Sequence, residues 1–227
     1  MITIDHLSVR YEATTVLHDL SLTLDEHQVH GLVGLNGSGK TTLLDTLYGF
    51  IKPYRGKILF QGKPLVRSAI AYQESMTYFY PNITGQEYLQ LFQSPTPFSA
   101  QDWQQLLQLP LDALIETYSM GMQKKLSLLS VIRLDRPIMI LDEPFNGLDL
   151  EAVQVLKTII AKLRQREKTV LLTSHILETL TDTCDCIHYL RQGRVQQSFA
   201  PNEFGELERE IAQAVREKTE DAIDRLL

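Results

Sequence analysis

Three short stretches of this chain carry residues whose types and spacing could do chemistry. In "GLNGSGKT" (34–41), Gly34 is followed after four residues by Gly39, Lys40 and Thr41. That spacing is the phosphate-loop pattern. The glycines let backbone N–H groups curl around a polyphosphate, Lys40 can reach the terminal phosphates, and the Thr41 hydroxyl can bind magnesium. In "IMILDEP" (138–144), Asp142 and Glu143 follow a short apolar run. Adjacent side chains do not comfortably serve one metal, so the pair divides its work: Asp142 to hold magnesium, Glu143 to polarise an attacking water as general base. A solvated turn is the plainer reading of such a pair alone, and the intact loop upstream is what favours catalysis. The third stretch is "YSMGMQKK" (118–125). Ser119 is a good helix cap, a helix start leaves backbone N–H groups without partners, Gly121 permits close approach, and Lys124 and Lys125 follow. This is an anion site of the helix-start kind, although alone it reads more simply as a helix cap in a bundle.

The elements that must position these residues follow from periodicity. Residues 2–24 alternate apolar and polar positions and predict two or three strands. "VHGLVG" (29–34) is a short buried strand, and "KTTLLDTLYG" (40–49) a helix closed by Gly49. "GKILFQGKPL" (56–65) reads as a hairpin turning at Gly62, and "AIAY" (69–72) as another strand. Strand signals then vanish. Thr84 with Glu87 forms a capping box opening a helix through Phe92, and Ser99 with Asp102 offers a second start. Residues 74–133 therefore read as a helical subdomain inserted into a core of 1–73 and 134–227. Past it, "PIMIL" (137–141) is a buried strand, and Leu150, Val153, Leu156, Ile160 and Leu163 stripe one helix face. "TVLLTS" (169–174), "CIHYL" (186–190) and "RVQQSF" (194–199) are strands, with a helix at "ILETLTDT" (176–183) and a turn at Gly193. Residues 202–227 form one charged amphipathic helix, expected to pack as a half-solvated cap. Strands alternating with helices imply an α/β fold with a mostly parallel sheet covered on both faces.

Composition bounds the rest. The chain has 227 residues, 44 % apolar and 22 % charged, with a net charge of −6 and no strong basic cluster. That argues against a surface built to coat nucleic acid. Its two cysteines, Cys184 and Cys186, are too few for a disulfide framework and fit a reducing compartment. With His188 they alternate and could share one strand face as a metal site, although strand cysteines are usually buried apolar filler. The N-terminus lacks the pattern of a signal peptide, and no window approaches the ~20 apolar residues of a membrane helix. A soluble protein is expected, with any membrane role exercised through a partner.

Together the motifs resemble the ATP-binding subunits of ABC transporters over nearly the whole chain. "GLNGSGKTT" is similar to the phosphate loop of that family, "YSMGMQKK" to its signature, and "ILDEP" to its second nucleotide motif. "FNGLD" (145–149) is similar to the loop that follows, and "LLTSH" (171–175) to the switch-histidine segment. Gln73 stands where the family has its glutamine loop, and Tyr11 where an aromatic residue usually stacks on adenine. The resemblance implies a RecA-like P-loop NTPase core with an N-terminal antiparallel β subdomain and an inserted helical subdomain. It implies ATP and Mg2+ as ligands. Gly34, Asn36, Gly37, Ser38, Gly39, Lys40, Thr41 and Thr42 would bind the nucleotide with Tyr11, and Thr41, Gln73 and Asp142 the magnesium. Lys40, Glu143 and His175 would be catalytic, with His175 touching the γ-phosphate. Ser119 and Gly121 would contact ATP held by a second subunit, in a homodimer or heterodimer, and Gln73 and Asp149 would couple the sites. Membrane-spanning subunits on separate chains are the implied partners, and the implied location is the cytoplasmic face of the membrane.

The signature departs from the common "LSGGQ": Tyr118, Met120 and Met122 replace leucine, glycine and glutamine. The "YSxGM" form resembles that of exporter-type members. His27 also stands in place of a glycine usual just before the phosphate-loop strand. The rival readings are an ABC-type regulator of ribosomes or DNA, which generally carries two cassettes or a long coiled-coil insertion, and a small-molecule phosphotransferase, which has no use for the signature.

Overall fold

Strands Ile2–Tyr11 (β1) and Thr14–Leu24 (β2) pair antiparallel, but their alternation changes parity part-way. Ile2 and Ile4 are buried in the first half of β1, Leu7 and Val9 in the second. His6 and Asp19 adopt φ of 50° and 52°, and the register slips from Ile4↔Leu22 to Leu7↔Leu20 to Val9↔Leu17. Each extra residue turns the following side chains over, so one apolar face continues through both strands. The structure is a computed structural model that describes residues 1–223; the end of the expected C-terminal helix, 224–227, lies outside them.

The chain forms two compact units, one of residues 1–25, 30–65 and 175 onward, the other of 26–29 and 66–174. After β2 come a wholly buried strand, Val29–Val33 (β3), and helix Lys40–Tyr48 (α1), which ends on Gly49 in the left-handed conformation. Arg55–Phe60 (β4) and Lys63–Pro64 (β5) make the hairpin expected around Gly62. In the first unit β1 lies between β2 and β4, with β5 outside β4.

Ile70–Gln73 (β6) opens the longer part of the second unit. The expected capping box is present: Thr84 Oγ1 accepts from the Glu87 N–H, and Glu87 accepts from the Thr84 N–H at 2.8 Å. The helix it opens, Gly85–Gln90 (α2), stops short of Phe92. Ala100–Leu107 (α3), capped by Ser99, and Met120–Arg133 (α4) follow, then the buried strand Ile138–Leu141 (β7). In Leu150–Gln165 (α5), Ala152, Leu156, Ile159, Ile160 and Leu163 are buried, whereas Leu150 is 80 % exposed. At ~100° per residue Leu150 lies about 120° from Leu156, so it falls off the apolar face that the stripe suggested. Thr169–Thr173 (β8) completes a parallel set with β7 between β6 and β8, in register Tyr72↔Ile140 and Ile140↔Leu171.

The chain then adds a short helix, Leu177–Thr181 (α6), and the hairpin Cys186–Arg191 (β9) and Arg194–Phe199 (β10). In the first unit β9 lies between β10 and the parallel β3. The terminal helix starts after a short turn, runs Phe204–Ile223 (α7), and buries Phe204, Leu207 and Ala214. Among the described residues no helix is long and apolar enough to cross a membrane.

Candidate functional site

In the first unit the loop between β3 and α1 is built around backbone conformations that suit glycine. Gly37 and Gly39 have φ of 81° and 106°. A Cβ at Gly34 would collide with the Leu190 carbonyl and stand 2.6 Å from Ser38 Oγ. The Ser38 N–H donates to the Leu35 carbonyl (3.0 Å), and the Gly193 N–H to the Ser38 carbonyl (3.0 Å), so the β9–β10 turn fixes the loop. Lys40 is buried on the first turn of α1, with Nζ donating to the Gly34 carbonyl at 2.7 Å. Ser38 Oγ is buried with no hydrogen-bond partner. Asn36, Gly37 and Thr41 are exposed at the rim, while Thr42 is buried in α1. Consecutive N–H groups, a buried cation and an unpartnered hydroxyl at a helix start fit a polyphosphate.

In the second unit Asp142 and Glu143 directly follow β7, and both are buried. The Thr173 hydroxyl at the end of β8 organises them. It donates to Asp142 Oδ1 (2.6 Å) and accepts from the Glu143 N–H (2.8 Å). Glu143 has φ of 50°, so the chain leaves the extended strand conformation directly after Asp142. The Asp142 N–H donates to the Gln73 carbonyl (2.9 Å). Gln73 is itself buried, its amide N–H donating to the Lys124 carbonyl (3.1 Å) and its Oε1 having no hydrogen-bond partner. An unpartnered amide oxygen and the Asp142 carboxylate are hard oxygen donors of the kind magnesium takes. The donor set therefore fits.

Within the same unit, Ser119 caps α4 by accepting from the Met122 N–H (3.2 Å) and remains exposed. A Cβ at Gly121 would stand 2.8 Å from the Gly147 carbonyl, so the "FNGLD" loop of this same chain packs against that glycine. Tyr118 is buried, and its hydroxyl donates to the Pro110 carbonyl (2.6 Å). The two lysines turn inward: Lys124 Nζ donates to the Ser75 carbonyl (2.6 Å) and Lys125 Nζ to the Leu107 carbonyl (3.3 Å). Burial lowers the Lys124 pKa, against the raising fields of Asp142 and Glu143. Asp149 is exposed and accepts from the Ala152 N–H (2.8 Å), capping α5. His27 has φ of 62°, a left-handed conformation that accounts for glycine being the usual residue there.

Tyr11 ends β1 and is 47 % exposed, and His175 is exposed just after β8. Thr173 and Lys124 are the residues whose roles sequence reasoning missed. Thr173 lies inside "LLTSH", but nothing in that string announces which carboxylate its hydroxyl meets.

A family description of ABC transporters matches residues 17–146, more than half of the chain. The chain belongs to the ABC transporter family of ATP-binding proteins. It is accordingly an ABC-type ATPase that binds nucleotide. An uncharacterised ABC transporter ATP-binding protein of Nostoc sp. is 35 % identical over 79 % of this chain, which spans 58 % of that relative's length. Nod factor export ATP-binding protein I of Burkholderia orbicola is 30 % identical over 88 % of this chain and 70 % of its own. Among solved structures, an ATP-binding subunit of an ABC transporter superposes with a TM-score of 0.78 at 29 % identity, covering 88 % of this chain and 90 % of its own. The ABC fold thus holds both the strand–loop–helix of the phosphate loop and the strand carrying the two carboxylates.

Proposed function

We propose that this ABC ATPase powers transport through membrane subunits on separate chains, by ATP-driven head-to-tail pairing with a second ATP-binding subunit. The observation that carries the catalytic part is the Thr173 clamp, which holds the Asp142 carboxylate and the Glu143 backbone N–H with one hydroxyl. The loop from Gly34 to Thr42, Lys40 foremost, binds the phosphates, and Tyr11 offers its exposed ring to adenine. Thr41, Gln73 and Asp142 would supply oxygen ligands to Mg2+, and that ion would neutralise developing phosphate charge. Glu143 takes the proton of the attacking water, and His175 orients that water at the γ-phosphate. Replacing Glu143 with Gln abolishes turnover and leaves ATP binding intact; normal turnover in that variant overturns the assignment.

Ser119 and Gly121 present the start of α4 to ATP held by the other subunit. Charge-assisted hydrogen bonds contribute ~1.5–3 kcal/mol each. A few of them, made to two γ-phosphates, supply the ~5.5 kcal/mol that moves an equilibrium from 1:99 to 99:1. ADP lacks the group they need. The helical stretch 74–133 carries the two states to the membrane subunits, with Gln73 and Asp149 as coupling residues. Exposed Met76, Tyr78 and Tyr80, which closely follow Gln73, support a protein-docking role for that stretch. Export is the direction favoured by the YSxGM form of the signature and by the named export function of the Burkholderia relative. On this reading the chain works at the cytoplasmic face of the membrane.

A further inference from the structure

The parallel register of β3 and β9 sets His30 opposite Cys186, and His188, two residues on, shares the face of Cys186. The donor atoms of these three residues all lie within 4.8 Å of one another. Cys184 does not join them. It precedes β9, and its Sγ lies 3.0 Å from where a Cβ at Gly31 would stand, on the face opposite His30.

We propose that His30, Cys186 and His188 form a zinc site that ties the β9–β10 hairpin to the strand leading into the phosphate loop. His30 Nε2 lies 2.9 Å from the Asp25 carbonyl, which can only accept, so Nε2 carries the proton and Nδ1 turns a lone pair toward the cluster. His188 Nε2 lies 3.1 Å from that Nδ1, and His188 Nδ1 lies 2.7 Å from Ser198 Oγ. Each histidine therefore has an outer partner that fixes its ring, the arrangement metal-binding imidazoles use. Tetrahedral Zn–N bonds of ~2.0–2.1 Å place two nitrogens roughly 3.3 Å apart, close to the separation found.

Without metal the His188 Nε2–H donates to His30, and Ser198 donates to His188 Nδ1. On binding, the His188 proton moves to Nδ1 and is donated to Ser198. The Cys186 thiol proton leaves to solvent, and the ion takes two nitrogens, one thiolate and a water. Cys186 is only partly buried and gives the ion a way in.

The test is Co(II) titration of the full-length, chelator-treated protein, followed by the thiolate-to-cobalt charge-transfer band. The band should saturate at one Co(II) per chain, disappear on adding Zn(II), and be absent in Cys186→Ser. It should persist in Cys184→Ala. Ser198→Ala should weaken binding about tenfold through the lost outer partner. With only two cysteines in the chain, the band reports on these sites alone. No band in the natural sequence, a band that survives Cys186→Ser, or one lost with Cys184 overturns the proposal. Retained ATP binding shows that each variant is folded.

Discussion

Thr173 serves the Asp142 carboxylate and the Glu143 backbone N–H with one hydroxyl, so its loss has two consequences. Thr173→Val leaves the buried Glu143 N–H without an acceptor and Asp142 without a donor. We expect unfolding stability to fall by about 1–3 kcal/mol in chemical denaturation. Because the carboxylates lose their positioning, kcat should fall about 10²-fold, with KM for ATP little changed since the phosphate loop is untouched. Thr173→Ser keeps the hydroxyl and should restore most of the rate; a Ser variant as impaired as Val would show that the methyl group, not the bond, matters. Asp142, Glu143 and Lys40 stand out in the sequence as candidates because their types and spacing are local. Thr173 does not, because its bond spans 31 positions and exists only once β7 and β8 pair.

At the scale of elements, Asp149 carries a structural duty that its proposed coupling role conceals. As the cap of α5 it contributes about 1 kcal/mol, so Asp149→Ala should lower stability by that amount. Asp149→Asn keeps a capping oxygen and should leave thermal unfolding unchanged. A drop in ATP turnover in the Asn variant would then belong to coupling, and unchanged turnover would leave capping as the whole role. The capping box of α2 predicts a pH dependence. The Thr84 N–H and hydroxyl hold the exposed Glu87 carboxyl below its ordinary value of 4.5. A depressed carboxylate pKa contributes stability above the unfolded value and loses it as pH falls through the folded one. Stability from this box is thus present above about 4.5 and fades below it; Glu87→Gln should flatten that part of an acid unfolding curve. Caps and turns such as Thr84, Ser99, Gly49 and Gly62 were readable because their partners lie a few residues away. The bulges at His6 and Asp19 were not, since each is a response to the strand opposite.

For the whole molecule, the pairing proposal makes a mass prediction. The Glu143→Gln variant should run as a dimer with ATP and as a monomer with ADP in light scattering. A monomer under both conditions, with ATP binding verified, would mean that closure requires a different chain or the membrane partner. The sequence by itself determined the nucleotide-binding motifs, the order of elements and the α/β class. Loop glycines, helix caps and hydrophobic periods act over one or two turns of chain, so their meaning survives without the fold. Tertiary structure alone decided which groups meet across strands: the Thr173 clamp, the inward turn of Lys124 and Lys125, the contact of Gly121 with Gly147, and the replacement of Cys184 by His30 beside Cys186 and His188. Those contacts depend on strand register and on burial, which spacing along the chain does not encode.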